Sequence, residues 1–101
     1  MDDLTWTLKQ LFRRNRDGSF ATQADRQRSL TLMARQLRDA GFNQMQARSL
    51  KGKHVDALLN QWQAQGLSTG TLKNRLSHLR WWAEKIGKGG LLPADNRQLG
   101  I

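Results

Sequence analysis

The stretch GLSTGTLKNRLSHLRWWAEKIGK, residues 66–88, combines an amphipathic helical pattern with five Lys/Arg side chains and one Glu. Its leucines recur at positions 72, 76 and 79, a spacing that places them on one face of an α-helix. Ser68 is a favourable N-cap residue, and Gly87 is a residue type that commonly follows a helix end. The pattern predicts a helix over roughly Thr69–Ile86. The predicted core stripe consists of Leu72, Leu76, Leu79, Ala83 and Ile86.

Three further helices are predicted upstream from the same periodicity. They cover roughly Asp3–Arg16, Thr22–Ala40 and Lys53–Gln65. Thr22 followed by Asp25 matches the Thr-x-x-acid signal for a helix start. No stretch shows the alternation of a β-strand, so four helices with short turns predict a compact all-α fold.

The charge of the chain points to a polyanionic partner. It has 17 Lys+Arg against 8 Asp+Glu, a net charge of +9. Such a field attracts nucleic acid, which is therefore the first partner to consider. The absence of cysteine rules out disulfides and cysteine-ligated zinc. No apolar run approaches the roughly 20 residues of a membrane span, and the start MDDLTWTL is too acidic and polar for a signal peptide.

The sequence offers little for catalysis. His54 and His78 are its only histidines, and neither belongs to a cluster with metal-ligand spacing. The acidic residues form no paired motif of the hydrolytic type, and no glycine-rich phosphate loop follows a strand. The chain alone is therefore not expected to be an enzyme or to bind a metal or cofactor.

Two helix faces carry the side chains that could reach DNA. Thr, Asn, His and Arg contact base edges and phosphates. The predicted exposed row on the last helix contains Thr71, Asn74, His78 and Lys85. One flank of this row carries Lys73 and Arg80, and another carries Arg75. On the second helix, the side opposite its apolar stripe carries Arg28, Thr31, Arg35 and Arg38. The start of the last helix suits a phosphate, and Gly70 there either permits close approach of a sugar-phosphate backbone or is simply a glycine tolerated near a helix start.

The four tryptophans are predicted mainly to pack. Trp82 lies beside Leu79 on the core stripe of the last helix, whereas Trp81 points elsewhere. Trp6 and Trp62 are interpreted as packing residues rather than ligand contacts.

The stretch at residues 66–88 also resembles a known family. The matching pattern consists of Gly66, Leu67, Ser68, Thr71, Arg75, Leu76, Ser77, Leu79, Arg80, Trp81 and Trp82, with HVDALLNQW upstream and LPADNRQLGI downstream. It is similar to the N-terminal core-binding domain of phage and mobile-element integrases in the tyrosine recombinase family. The resemblance implies a SAM-like fold, a compact four-helix orthogonal bundle.

The resemblance implies a division of labour with a second domain. Core-binding domains of this kind hold one side of a DNA duplex, while a C-terminal domain with an Arg/His/Arg set and a tyrosine nucleophile cuts and rejoins strands. This chain has no tyrosine, so it would be the DNA-holding part of a longer recombinase. Residues 1–86 would form the helical domain, and residues 87–101 a linker toward the catalytic domain, which is absent here.

The implied partners are double-stranded DNA, that catalytic domain and other recombinase protomers on DNA, in the bacterial cytoplasm at the nucleoid. Carried over by position, the implied DNA contacts lie at the start of the second helix and along the fourth. They are Thr22, Gln23 and Arg26 on the second helix, and Thr71, Lys73, Asn74, Arg75 and His78 on the fourth.

Two other functions remain open from the sequence. SAM-like helical folds also serve as protein–protein interaction modules. The stretch WQAQGLSTGTLKNRL, residues 62–76, can also be read as two helices joined by a short turn, which is typical of a free-standing helix-turn-helix regulator.

Overall fold

The computed structural model describes residues 2–101 and confirms the predicted all-α fold. The four helices are α1 (Asp3–Arg14), α2 (Phe20–Asp39), α3 (Gly52–Ala64) and α4 (Thr69–Lys85). Three short 3-10 helices lie at Ala47–Ser49, Gly89–Leu91 and Asn96–Leu99. No β-strand occurs within residues 2–101. The chain divides into two compact units, the first ending at Leu50 and the second beginning at Lys51.

In the first unit, α1 packs against α2 and against the 3-10 helix Ala47–Ser49. The buried apolar residues are Leu4, Leu8 and Phe12 on α1 and Leu30, Met33, Ala34 and Leu37 on α2. The backbone N–H of Ala47 donates to Thr7 Oγ1 at 2.8 Å, which ties the 3-10 helix to α1. Trp6 is 56% exposed, so its prediction as a packing residue was wrong. It lies two residues from both Leu4 and Leu8, a spacing that points it away from the buried stripe.

Both ends of α1 are capped by side chains. Asp2 accepts the N–H of Thr5 at 2.7 Å and pairs with Arg38 Nη1 at 2.9 Å. Hydrogen bonds from Thr5, its backbone N–H first, and then the charge of Arg38 hold the pKa of Asp2 below its usual value. At the other end, Asn15 Nδ2 donates to Leu11 O at 3.0 Å. Because the backbone of Asn15 is extended, α1 ends at Arg14 and not at Arg16 as predicted.

The start of α2 differs from the prediction by two residues. The N-cap is Ser19, whose Oγ accepts the N–H of Thr22 at 3.2 Å. Gly18 precedes it with a φ of +88°, a left-handed conformation that suits glycine and lets the chain turn into the helix. Asp25 is therefore not part of a cap; it lies within the helix and pairs with Arg28 at 3.7 Å. A serine next to a glycine turn was the stronger start signal.

In the second unit, the predicted bounds of α3 and α4 are correct to within one residue. Ser68 caps α4 by accepting the N–H of Thr71 at 3.3 Å, and Gly87 follows the helix with a φ of +76°. The buried apolar residues are Val55, Leu58 and Trp62 on α3 and Leu76, Leu79, Trp82 and Ala83 on α4. The predicted stripe residues Leu72 and Ile86 are only half-buried.

The segment after α4 contains two 3-10 helices, and the first of them contacts α4. Leu92 is buried, and Pro93 O accepts a hydrogen bond from Arg80 Nε at 3.0 Å. The 3-10 helix Asn96–Leu99 is capped by Asp95, which accepts the N–H of Arg97 at 2.9 Å. The boundary at residue 86 and the linker role of residues 87–101 stay predictions.

His54 closes the N-terminal turn of α3. Its side chain is 3% exposed, and Nδ1 accepts the backbone N–H of Lys51 at 2.9 Å. Burial, followed by the charges of Lys53, Lys51 and Lys88, lowers the pKa of His54 below its usual 6.5. The neutral imidazole is therefore the form that this turn requires.

Acidification is expected to lower stability through His54. A group whose pKa is lowered by folding binds more protons in the unfolded chain, so stability is complete above pH 6.5 and falls as the pH drops toward the folded-state pKa. Thermal melts of wild type between pH 7.5 and pH 5 should show this decline, and His54→Gln should melt lower at pH 7.5 with a flatter dependence. An identical slope in the variant would assign the decline to other groups.

Candidate nucleic-acid interface

The solvent-facing side of α4 contains Gly70, Lys73, Asn74, Ser77 and Glu84, all of which are exposed. Two larger side chains beside them, Arg80 and Trp81, are half-exposed. This face is rotated about the helix axis relative to the predicted row. Lys73 and Asn74 both lie on this face. The sequence had placed Asn74 in the exposed row and Lys73 on its flank.

His78 does not lie in an exposed row, so this part of the prediction was wrong. Its side chain is 7% exposed. His78 lies four residues before Trp82 and three after Arg75, and residues at these spacings share a helix face. Trp82 is buried, and His78 therefore lies on the buried side of α4 as well.

Arg75 packs against α3. Its guanidinium lies over the ring of Trp62, 5.6 Å from the centroid, in a cation–π contact. Nη1 of Arg75 is buried and makes no hydrogen bond within residues 2–101. The side chain is half-buried and is held toward Trp62, rather than extended into solvent beside Asn74.

The two predicted threonines occupy equivalent positions in two helix caps. Ser68 Oγ donates to Thr71 Oγ1 at 3.0 Å, and Ser19 Oγ donates to Thr22 Oγ1 at 3.1 Å. In each case the serine also accepts the threonine N–H, so the pair closes the first turn of its helix. Thr22 is exposed and Thr71 half-exposed, so both hydroxyls stay within reach of a ligand.

The other two predicted contacts on α2 hold the turn that precedes it. Gln23 Nε2 donates to Gly18 O at 3.0 Å, and Arg26 Nη1 donates to Asp17 O at 3.0 Å. Arg26 is 7% exposed and is held by this hydrogen bond, and its contact with DNA stays a prediction. The chain at residues 17–18 folds back alongside α2, a tertiary arrangement that helical periodicity does not reveal.

Lys73 borders an open depression formed with the C-terminal segment. The depression encloses about 550 Å³ and is lined by Lys73, Ala94, Asp95, Asn96, Arg97 and Ile101. Arg97 Nη2 pairs with Asp95 Oδ2 at 2.7 Å, and this pairing lowers the pKa of Asp95. Lys73 itself makes no ion pair within residues 2–101, so its charge is available to a ligand.

A second basic surface was missed by the sequence analysis. Lys9, Arg13 and Arg16 line a cavity of about 270 Å³ in the first unit, together with Phe12, Gln23 and Gln27. Part of the signal was present, because Lys9 and Arg13 are four residues apart and therefore share one face of α1, whereas Arg16 lies beyond the end of that helix.

Both units carry excess positive charge. The first has nine Lys/Arg against five Asp/Glu, and the second eight against three. Within residues 2–101, no three His, Asp or Glu side chains are grouped closely enough to hold a metal ion. None of the helices in the described part of the chain is long and apolar enough to cross a membrane.

Comparison with known proteins identifies the family. The family model described as "Phage integrase, N-terminal", a SAM-like domain, matches residues 1–91. No curated protein and no solved structure gives a match. The match confirms the resemblance found in the sequence and relates the chain to integrase-dependent DNA recombination and to a parent tyrosine recombinase family. Because it spans nearly the whole sequence, the chain belongs to the phage integrase N-terminal family of SAM-like domains.

Proposed function

We propose that this chain is the DNA-holding domain of a site-specific integrase of the tyrosine recombinase type. In this proposal it grips duplex DNA, and a separate C-terminal catalytic domain cuts and rejoins strands beside other recombinase protomers, in the bacterial cytoplasm at the nucleoid. The observation that carries the proposal is the family match over residues 1–91 in a chain with a net charge of +9.

The exposed side of α4 is the proposed primary DNA contact. The side chains of Lys73 and Asn74 are exposed and make no hydrogen bond or ion pair within residues 2–101. The ammonium group of a lysine neutralises a backbone phosphate, and the amide of an asparagine matches the N6 and N7 edge of adenine in the major groove. Together they supply one positioning contact and one base-reading contact.

The first turn of α4 suits a phosphate next to this contact. Backbone N–H groups and the helix dipole make a helix start favourable for negative charge. A Cβ added to Gly70 would meet no atom within 4 Å, so protein packing does not demand glycine there. A close approach of the DNA backbone supplies a reason for this glycine, and Thr71 beside it supplies a hydroxyl.

The remaining predicted DNA contacts fall into two groups, those at the surface and those buried or half-buried in the protein. Thr22 and Gln23 stand at the surface of the α2 start and are proposed as flanking contacts. Arg26, Arg75 and His78 are held by the protein, and we assign them a supporting role in positioning the turn before α2 and the face of α4.

Weak, salt-sensitive binding to duplex DNA is the expected result. If about four to six phosphates are neutralised, log K should fall with log salt concentration at a slope of roughly −4 to −5. Fluorescence anisotropy with a labelled random duplex between 50 and 300 mM salt measures this slope. No binding at the lowest salt, or a slope near zero, would contradict the proposal and favour a protein–protein interaction module.

A helix-turn-helix regulator is the second candidate. Four residues, 65–68, join α3 to α4, and Gly66 in that turn has a φ of +66°. This connection has the length of a helix-turn-helix turn. The genomic reading frame distinguishes the two candidates: continuation beyond Ile101 into a domain with a late tyrosine supports the integrase, and a stop codon there supports the regulator.

A further inference from the structure

The first unit contains a cleft between α1 and α2 that no part of the proposed α4 contact uses. It encloses about 270 Å³ and is lined by Lys9, Phe12, Arg13, Arg16, Gln23 and Gln27. A water molecule occupies about 30 Å³ in the liquid, so the cleft has room for several waters or for one phosphate group. Most of its lining side chains are exposed, so a ligand can enter from solvent.

The lining is cationic and contains no acidic residue. Lys9, Arg13 and Arg16 make no ion pair within residues 2–101. Two other basic residues of the same unit are paired with carboxylates, Arg28 with Asp25 at 3.7 Å and Arg38 with Asp2 at 2.9 Å. Three uncompensated positive charges around one cleft repel one another, and an anion placed among them removes that repulsion.

The floor and one wall of the cleft are held in place. Phe12 is 8% exposed and belongs to the buried stripe of α1. Gln23 is fixed by its hydrogen bond to Gly18 O at 3.0 Å. Asn15, anchored to Leu11 O at 3.0 Å, turns the chain after α1, and Arg16 lines the cleft from just beyond that turn. The cations therefore surround a cleft whose shape the fold determines.

We propose that this cleft binds a backbone phosphate of nucleic acid. Guanidinium groups match phosphate oxygens with paired N–H donors, and a lysine adds a compact charge. The inference rests on the proposed function, and it adds to it a phosphate contact in the first unit that is separate from the α4 face. Nucleic acid is favoured over a free phosphate because the whole chain carries a charge of +9, which attracts a polyanion as a unit.

The test compares two neighbouring arginines of α1. Arg13 lines the cleft, whereas Arg14 is exposed and does not, so Arg13→Ala and Arg14→Ala remove the same charge at adjacent positions. Loss of one phosphate contact should weaken duplex binding about tenfold at 50 mM salt and flatten the salt slope by about one unit. Arg14→Ala should change affinity by less than about threefold, because its effect acts through the screened field. Both variants should have the same melting temperature as wild type.

The outcomes separate the two proposals. If Arg13→Ala binds duplex like Arg14→Ala while Lys73→Glu weakens binding, the cleft inference fails and the proposed function stands. If wild type binds no duplex, the proposed function fails and so does a backbone-phosphate ligand. A titration of labelled protein with inorganic phosphate, followed by NMR, then shows whether the cleft is an anion site at all. Shifts at Arg13 and Gln27 combined with equal duplex binding by both variants would reassign it to free phosphate and overturn the nucleic-acid assignment.

Discussion

Leu76→Ala is expected to destabilise the protein by about 2–5 kcal/mol, because the substitution removes a fully buried side chain and leaves a cavity. Leu76 is 0% exposed, and it lies on α4 among the buried residues Leu79, Trp82 and Ala83. A small domain has only about 5–15 kcal/mol of total stability. The substitution should therefore lower the melting temperature strongly or abolish cooperative unfolding, as followed by circular dichroism during heating and urea titration.

Ser77→Ala is the matched control for this substitution. Ser77 is the next residue of the same helix, and its side chain is exposed. Substitutions at such surface positions usually change stability by about 0.5 kcal/mol or less. If Leu76→Ala melted like wild type while Ser77→Ala did not, the orientation of α4 described above would be incorrect.

Helix positions could be predicted from the sequence because their signals are local. Ser68 before α4 and Gly87 after it act within one turn of the chain, and both operate as predicted. The leucines at 76 and 79 are buried because a 3.6-residue period dictates which face they share. The error at α2 was also local: Gly18 and Ser19 formed a better start than Thr22 and Asp25.

The orientation of α4 could be predicted only in part. The leucines alone did not define the rotation of α4 about its axis. Trp82 was predicted to be buried and His78 to be exposed, although residues four apart share one helix face. Trp62 then draws Arg75 toward α3 through a contact that depends on the other helix. A basic residue beside an aromatic of another element cannot be assigned to solvent from periodicity alone.

Arg26 and the α1 cleft show the limits set by tertiary contacts. Arg26 is buried because it donates to Asp17 O, nine residues earlier, across a turn whose path the sequence did not indicate. The cleft exists only because α1 packs against α2. The basic residues at 9, 13 and 16 could be recognised as the lining of one cleft only after Gln23 and Gln27 were located beside them. Charge counting predicted the class of partner but not these surfaces.

Lys73→Glu is expected to cause the largest loss of DNA binding among single substitutions on α4. One phosphate contact contributes about tenfold to affinity at 50 mM salt, and the new carboxylate additionally repels the phosphate it replaces. The loss should therefore exceed about tenfold in an anisotropy titration with random duplex. The melting temperature should stay close to that of wild type, because Lys73 is exposed.

Lys85→Glu is the matched control, since it changes the same charge on the same helix. Lys85 lies twelve residues after Lys73, about 18 Å along the helix, and points to a different side. The exposed face found in the structure includes Lys73, which the sequence placed on a flank of the predicted row and among the implied DNA contacts, whereas Lys85 belonged to the row itself. A greater loss in Lys73→Glu supports the structural face as the DNA contact. A greater loss in Lys85→Glu would support the sequence-predicted row, and equal losses would mean that α4 acts only through the overall field of the protein and not through a defined contact.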